Sequence, residues 1–243
     1  MTCDTWWEVN ILSKLQVPRS HADTHPYGHP NELFKAGVAG QDLVNAVTKL
    51  MNKLKDDPHS YPSSMDICNV TNIYKNKWDR NSFDAYRGVF RTTVLRNVLD
   101  RLIYNDAYET VDANLTDCNV GSRKKRNIGD NLFVINAITN SSKKGIDRPC
   151  DICVYDVRKC FDSLWLDECI NDLFEAGLQN DKLCLLYYQN KNARIAINTL
   201  NGTTERFSIK NTVMQGTVWA GLMCTCTMDK LGRQAYGDKN MLY

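Results

Sequence analysis

The chain has almost no net charge. Thirty Lys and Arg stand against 28 Asp and Glu, leaving +2 over 243 residues. Such a balance excludes a basic coat for nucleic acid, so any attraction to phosphates has to come from local clusters. No apolar run is long enough to cross a bilayer, and no membrane partner is expected. The first residues carry Asp4 and Glu8 with no apolar stretch behind them, which is not the pattern of a secretory leader. Internal repeats and low-complexity tracts are missing as well. These absences together read as an intracellular protein, cytoplasmic or nuclear.

What is present suits an ordinary folded chain. Hydrophobic residues make up 43%, enough for a real core in one large domain or two small ones. The 10 cysteines read as reduced, mostly buried small residues, because a chain of this length without a leader needs no disulfide framework. Cys150 and Cys153 form a C-x-x-C with no second pair beside it to complete a zinc site. His21, His25 and His29 recur at helical spacing, but Pro26 and Pro30 break any helix there, leaving a polar loop.

The periodicity predicts a mixed α+β fold. Residues 1–30 have no clear period. From Glu32 to Lys55, Leu43, Val44, Val47, Leu50, Met51 and Leu54 recur at helical steps. A polar stretch with Lys75, Lys77 and Arg80 follows. A second helix is expected from Phe90 to Tyr104, and a basic loop at Arg123-Lys124-Lys125-Arg126 after it. A third helix starts near Asp130, with Leu132, Phe133, Ile135 and Ile138 expected to face inward. Ile152 to Tyr155 reads as a short buried strand. Asp162 or Ser163 is expected to cap a helix ending at Gly177, and another covers Lys182 to Gln189. Asn201-Gly202 between two alternating segments is a strong hairpin signal. Met214-Gln215-Gly216 leads into a last helix through Leu231.

Asp156 is the residue that most suggests chemistry. It is placed at the carboxyl end of the expected strand, where α/β layers open into sites. A carboxylate there suits Mg²⁺, which takes one or two carboxylates together with substrate phosphates. The competing reading is a turn aspartate capping the next helix, a role Asp162 fills better.

Four segments then form an ordered set. Phe83-Asp84-Ala85-Tyr86-Arg87-Gly88-Val89 is similar to an N-Y-R-G-I box. Asn119 to Asp130 resembles Q-x-G-F-R-x-x-R-S-x-x-D. Ile152 to Asp162 resembles an apolar strand followed by D-x-x-x-A-F-D, and Val213 to Thr217 resembles a Q-G loop. In this order they resemble the reverse transcriptases of non-LTR, LINE-like retrotransposons, from about residue 31 to the end of the chain.

The resemblance implies right-hand polymerase architecture, with fingers over 31–148 and part of a palm over 149–243. It implies an RNA-directed DNA polymerase working by two-metal phosphoryl transfer, with Mg²⁺ or Mn²⁺ as cofactor. Its partners would be an RNA template, a DNA primer and deoxynucleoside triphosphates. Asp156 would be the catalytic, metal-binding carboxylate. Lys159 and Cys160 would offer backbone N–H groups to the triphosphate, and Phe161 would be the steric gate under the sugar. Gln215 and Gly216 would lie beside the incoming nucleotide. Arg123 and Arg126 would hold template or triphosphate.

The sequence departs from the pattern at Asn119, at Ser122 where an aromatic is usual, and at Cys160 where alanine is usual. Thr217 to Gly221 replaces the family's Ser-Pro continuation. The third palm motif, Y-x-D-D, does not occur; Asp229 and Asp238 are each without an adjacent partner. The expectation is therefore a reverse-transcriptase fragment that does not polymerise alone. The alternative is an inactive remnant acting at most as an RNA-binding module.

Overall fold

The computed structural model describes residues 36–77, 79–145, 151–199, 201–209 and 213–236. The segment read as irregular over 1–30, the three histidines within it and Cys150 lie outside the described residues.

Helix α1 (Ala36–Asp56) buries Val44, Val47, Met51 and Leu54, spaced three or four apart as one helical face requires. Helix α2 (Val94–Ala113) starts four residues later than Phe90. Thr93 accepts a hydrogen bond from the Arg96 N–H (3.3 Å) and so fixes the start. Its buried face is Val98, Leu99, Leu102, Ile103, Ala107, Tyr108 and Val111.

Two strands precede α2 that the periodicity did not suggest: β1 (Ile67–Tyr74) and β2 (Tyr86–Thr92). They pair antiparallel, from Cys68 opposite Thr92 to Tyr74 opposite Tyr86. On its other side β1 pairs parallel with β3 (Arg194–Thr199), Ile67 opposite Arg194. The expected hairpin is present. β3 turns back into β4 (Gly202–Thr203) and then β5 (Phe207–Ser208), both antiparallel to it. The sheet order is β2-β1-β3-β4, with β5 also on β3. Cys68, Val70, Ala193, Ile195 and Met214 form a small core on the sheet.

Two expectations fail on burial. Helix α3 (Ile128–Lys143) forms behind a capping box made by Asn127 and Asp130, yet none of its residues is buried. Leu132, Phe133, Ile135 and Ile138 are 40–75% exposed. The periodicity is real, but no element packs on that face among the described residues. Likewise Ile152 to Tyr155 is not a strand but exposed, irregular chain, with Val154 90% and Tyr155 86% exposed. A short β-branched run becomes a buried strand only where a neighbouring strand takes up its N–H and C=O groups.

The remaining helices are α4 (Cys160–Ser163), α5 (Leu166–Glu175), α6 (Asn180–Lys191) and α7 (Ala220–Tyr236). Asp162 lies inside α4, and α5 begins after Trp165 without a side-chain cap, so neither Asp162 nor Ser163 caps it. Gly177 does stop α5, at φ +93°. Leu164, Leu166, Cys169 and Leu173 are buried under α5, while Phe174 is exposed. α7 packs on α5. Trp219, just before α7, is buried and donates its indole N–H to the Asp100 carbonyl (3.2 Å). The main core draws on α1, α2, α5, α6 and α7 alike, so both it and the sheet join residues from either side of position 148.

One charged cluster is enclosed with that core. Arg96 and Asp100 stand 4.0 Å apart, both almost fully buried. Asp66 and Gln189 are buried as well, and Arg96 donates to the Asn190 side-chain oxygen (3.2 Å). Burial pushes the carboxyls of Asp66 and Asp100 up to about 6, against the pull of the Arg96 guanidinium.

Candidate functional site

The structure brings three of the four singled-out segments together at the end of β2. The first contact is between the Phe83–Ala85 turn and the turn after Asp156. Asp84 forms an ion pair with Lys159 (2.7 Å) and lies 3.6 Å from Arg158. The Lys159 hydrogen bond and charge hold the Asp84 carboxyl below the usual carboxylate range. Lys159 has left-handed backbone (φ 51°), which turns the chain sharply into α4.

The second contact joins that turn to the Q-G loop: the Val213 N–H donates to the Phe161 carbonyl (3.1 Å). The third joins the Q-G loop to β2: the Phe90 N–H donates to the Gln215 carbonyl (2.8 Å). Gly216 has φ +106°, and a Cβ there would lie 3.0 Å from the Phe90 carbonyl oxygen and 3.1 Å from Val89 Cγ1. Glycine is required on both counts. Lys159, Cys160, Phe161, Gln215 and Gly216 are thus held in one cluster by backbone bonds between segments more than 50 residues apart.

Asp156 stands three residues before this cluster on the exposed 151–157 stretch. It has the hard-oxygen chemistry a Mg²⁺ ion takes. Among the described residues no three His, Cys, Asp or Glu come together as a metal-binding group, so no assembled ligand set surrounds Asp156.

The basic loop is arranged differently from a phosphate-binding fork. The Arg123 guanidinium is buried. It pairs with Asp112 (2.7 Å) and donates to the carbonyls of Thr116, Asn119 and Asp112 at 2.7–3.0 Å. This bond holds the Asp112 carboxyl below its ordinary value. Arg123 therefore clamps its own loop, with four of its five donors spoken for. The Lys124 ammonium lies over Tyr108 and Tyr104, 4.1 and 5.4 Å from the ring centres. Arg126 pairs with Asp117 (2.6 Å) on the surface. Of four consecutive cations, Arg123 is turned inward, and Arg126 has a carboxylate partner.

The loop also docks on α7. Thr225 donates to the Gly121 carbonyl (2.6 Å), and Asn119 donates to the Thr225 carbonyl (3.0 Å). A Cβ at Gly221 would meet Ser122 within 3 Å. Two places where the sequence departs from the family pattern, Ser122 and the stretch ending at Gly221, are thus in contact with each other. Asp229 binds Thr116 and Arg233 and ties the loop's start to α7. Sequence reasoning passed over Asp84 and Asp112, and weighed Asp229 only against the missing Y-x-D-D motif. For Asp84 the signal was present, inside a segment already singled out; the pairings of the other two depend on tertiary contacts.

The mixed α+β fold brings the Q-G loop, the Arg158–Phe161 turn and β2 together at one junction. A family profile described as reverse transcriptase (RNA-dependent DNA polymerase) matches residues 73–243. The chain belongs to the reverse transcriptase family, whose members act on template, primer and deoxynucleoside triphosphates and generally use divalent metals. No curated protein matches it significantly. No helix among the described residues is long and apolar enough to cross a membrane.

Proposed function

We propose that the chain is the fingers and first part of the palm of a non-LTR, LINE-like retrotransposon reverse transcriptase, with residues 31–148 as fingers and 149–243 as palm. The observation that supports this best is the junction itself: Asp84 on Lys159, Phe161 on Val213, and Gln215 on Phe90. A polymerase needs these segments beside one nucleotide.

In this reading Asp156 would hold Mg²⁺ or Mn²⁺, which neutralises charge on the reacting phosphate oxygens when bound. The backbone N–H groups at Lys159 and Cys160 face the triphosphate. Phe161 sits under the sugar and excludes a 2′-hydroxyl. Gly216 lets the Q-G loop press against β2, and Gln215 lies beside the nucleotide. Arg123 acts by shaping its loop, and Arg126 reaches phosphate by exchanging its Asp117 partner.

The test is primer extension on a poly(A) template in a form of the protein that polymerises. Asp156→Asn removes the anionic ligand and should abolish extension while leaving the fold intact, because Asp156 is exposed. Extension at the wild-type rate would falsify the assignment.

A second reading is an RNA-binding module without catalysis. It is favoured by the lack of a three-ligand acidic group among the described residues. It predicts salt-dependent RNA binding and no extension under any metal.

A further inference from the structure

The turn that carries Lys159 and Phe161 also carries a thiol aimed at another thiol. Cys160 Sγ and Cys224 Sγ are 3.2 Å apart, although 64 residues separate them in sequence. Cys160 opens α4, and Cys224 lies in the second turn of α7. At that separation the sulfurs are already closer than an ordinary non-bonded contact, and a bond length of about 2.05 Å needs only a small further approach. Both side chains are half-buried, neither sealed in the core nor freely exposed. Cys160 stands where the family pattern has alanine, so the pair is a feature of this chain and not of the motif.

We propose that Cys160 and Cys224 form a reversible disulfide that staples the Arg158–Phe161 turn to α7, closing under oxidant and opening under thiol reductant. The oxidant is a hydroperoxide. With hydrogen peroxide, the Cys160 sulfur attacks one peroxide oxygen, the O–O bond breaks, the departing hydroxide takes the Cys160 thiol proton and leaves as water, and Cys160 becomes a sulfenic acid. The Cys224 sulfur then attacks that sulfur. The S–S bond forms, the S–O bond breaks, and the departing hydroxide takes the Cys224 proton to give a second water. Burial pushes the Cys224 thiol up to about 12, so its proton leaves only as the hydroxide departs. Dithiothreitol reverses the bond by thiol–disulfide exchange.

The staple matters because of what the turn holds. Lys159 reaches Asp84, and the Phe161 carbonyl takes the Val213 N–H. Drawing Cys160 towards α7 pulls the turn away from the surface on which the triphosphate would lie. That consequence rests on the proposed function, whereas the cross-link does not.

The experiment treats the full chain with hydrogen peroxide, alkylates the remaining thiols and maps the peptides by mass. The expected result is one linked Cys160–Cys224 peptide, lost after dithiothreitol and absent in Cys224→Ser. In parallel, dTTP binding with Mg²⁺ is measured before and after oxidation. It should weaken, recover with dithiothreitol, and be insensitive to peroxide in Cys224→Ser, whose reduced-state binding matches the parent. Linkage of Cys224 to Cys169, or free Cys160 and Cys224 thiols after oxidation of other cysteines, overturns the staple. A linked peptide with unchanged dTTP affinity overturns its effect on the site. Absence of dTTP binding in both states tells against the polymerase reading alone, since the staple is still read from the peptides.

Discussion

Replacing Gly216 with alanine perturbs the junction at its tightest point, and its cost can be worked from the structure. At φ +106° an L-residue is held in a sparsely populated region, a strain of about 1–3 kcal/mol. The new methyl also lands 3.0 Å from the Phe90 carbonyl oxygen, and relieving that contact moves the Gln215 carbonyl off the Phe90 N–H. Loss of that bond adds about 1 kcal/mol. The total is roughly 2–4 kcal/mol, a large share of a typical stability of about 5–15 kcal/mol. Gly202→Ala is the control: it has φ +119° but nothing within 4 Å of a Cβ, so it carries strain without the contact. Urea denaturation followed by circular dichroism should show both variants weakened, Gly216→Ala by about 1 kcal/mol more. Amide exchange at Phe90 should rise only in Gly216→Ala. Equal loss in the two variants, or a protected Phe90 amide in Gly216→Ala, would refute the claim that this glycine presses the Q-G loop onto β2.

Three further outcomes follow from the packing. Arg123→Met leaves the Asp112 carboxylate, the Asp112 carbonyl and two loop carbonyls without their donor and should cost about 3–5 kcal/mol, whereas Lys125→Ala, on the exposed loop, should stay within about 0.5 kcal/mol; similar melting temperatures for the two would remove the clamp. Asp66 and Asp100 have folded-state values raised to about 6, above about 3.9 in the unfolded chain. The folded state therefore holds more protons across that interval, and their contribution to stability falls as pH rises from about 4 to 6. The Asp66→Asn/Asp100→Asn double variant should lose that slope in urea titrations at stepped pH, and an unchanged slope would assign it elsewhere. On α3, Phe133→Glu should leave the unfolding midpoint within about 0.5 kcal/mol of the parent while reducing self-association by light scattering; a loss above 2 kcal/mol would mean that Phe133 is buried.

The parts legible in the sequence were those set by local rules. Helical spacing located α1, α5 and α6, Gly177 marked the end of α5, and Asn201-Gly202 marked the hairpin. The parts that escaped depend on distant partners. β1 is interrupted by Asn69 and Asn72, and its pairing with β3 is invisible from either segment alone. Burial along α3 and along 152–155 was assumed from apolar content, but burial is a property of what lies opposite. The site divides the same way. The Lys159–Phe161 turn and the Q-G loop were visible as residue patterns, while Asp84 beneath Lys159 and Asp112 inside the Arg123 clamp came from tertiary geometry.

The parallel pairing of β1 with β3 sets a waiting time during synthesis. Ile67 pairs with Arg194, 127 positions later. At roughly 5–20 residues per second, β1 leaves the ribosome about 6–25 s before its parallel neighbour. In that interval it has β2 alone, and a two-stranded ribbon is marginal in water. The open edge of β1, with the backbone groups of Ile67 to Thr71 that later bond β3, is meanwhile a template for any other extended chain. Slower translation between the two strands lengthens the exposure, so the yield of folded protein should depend on codon choice within 75–193, a region that contributes no residue to either strand.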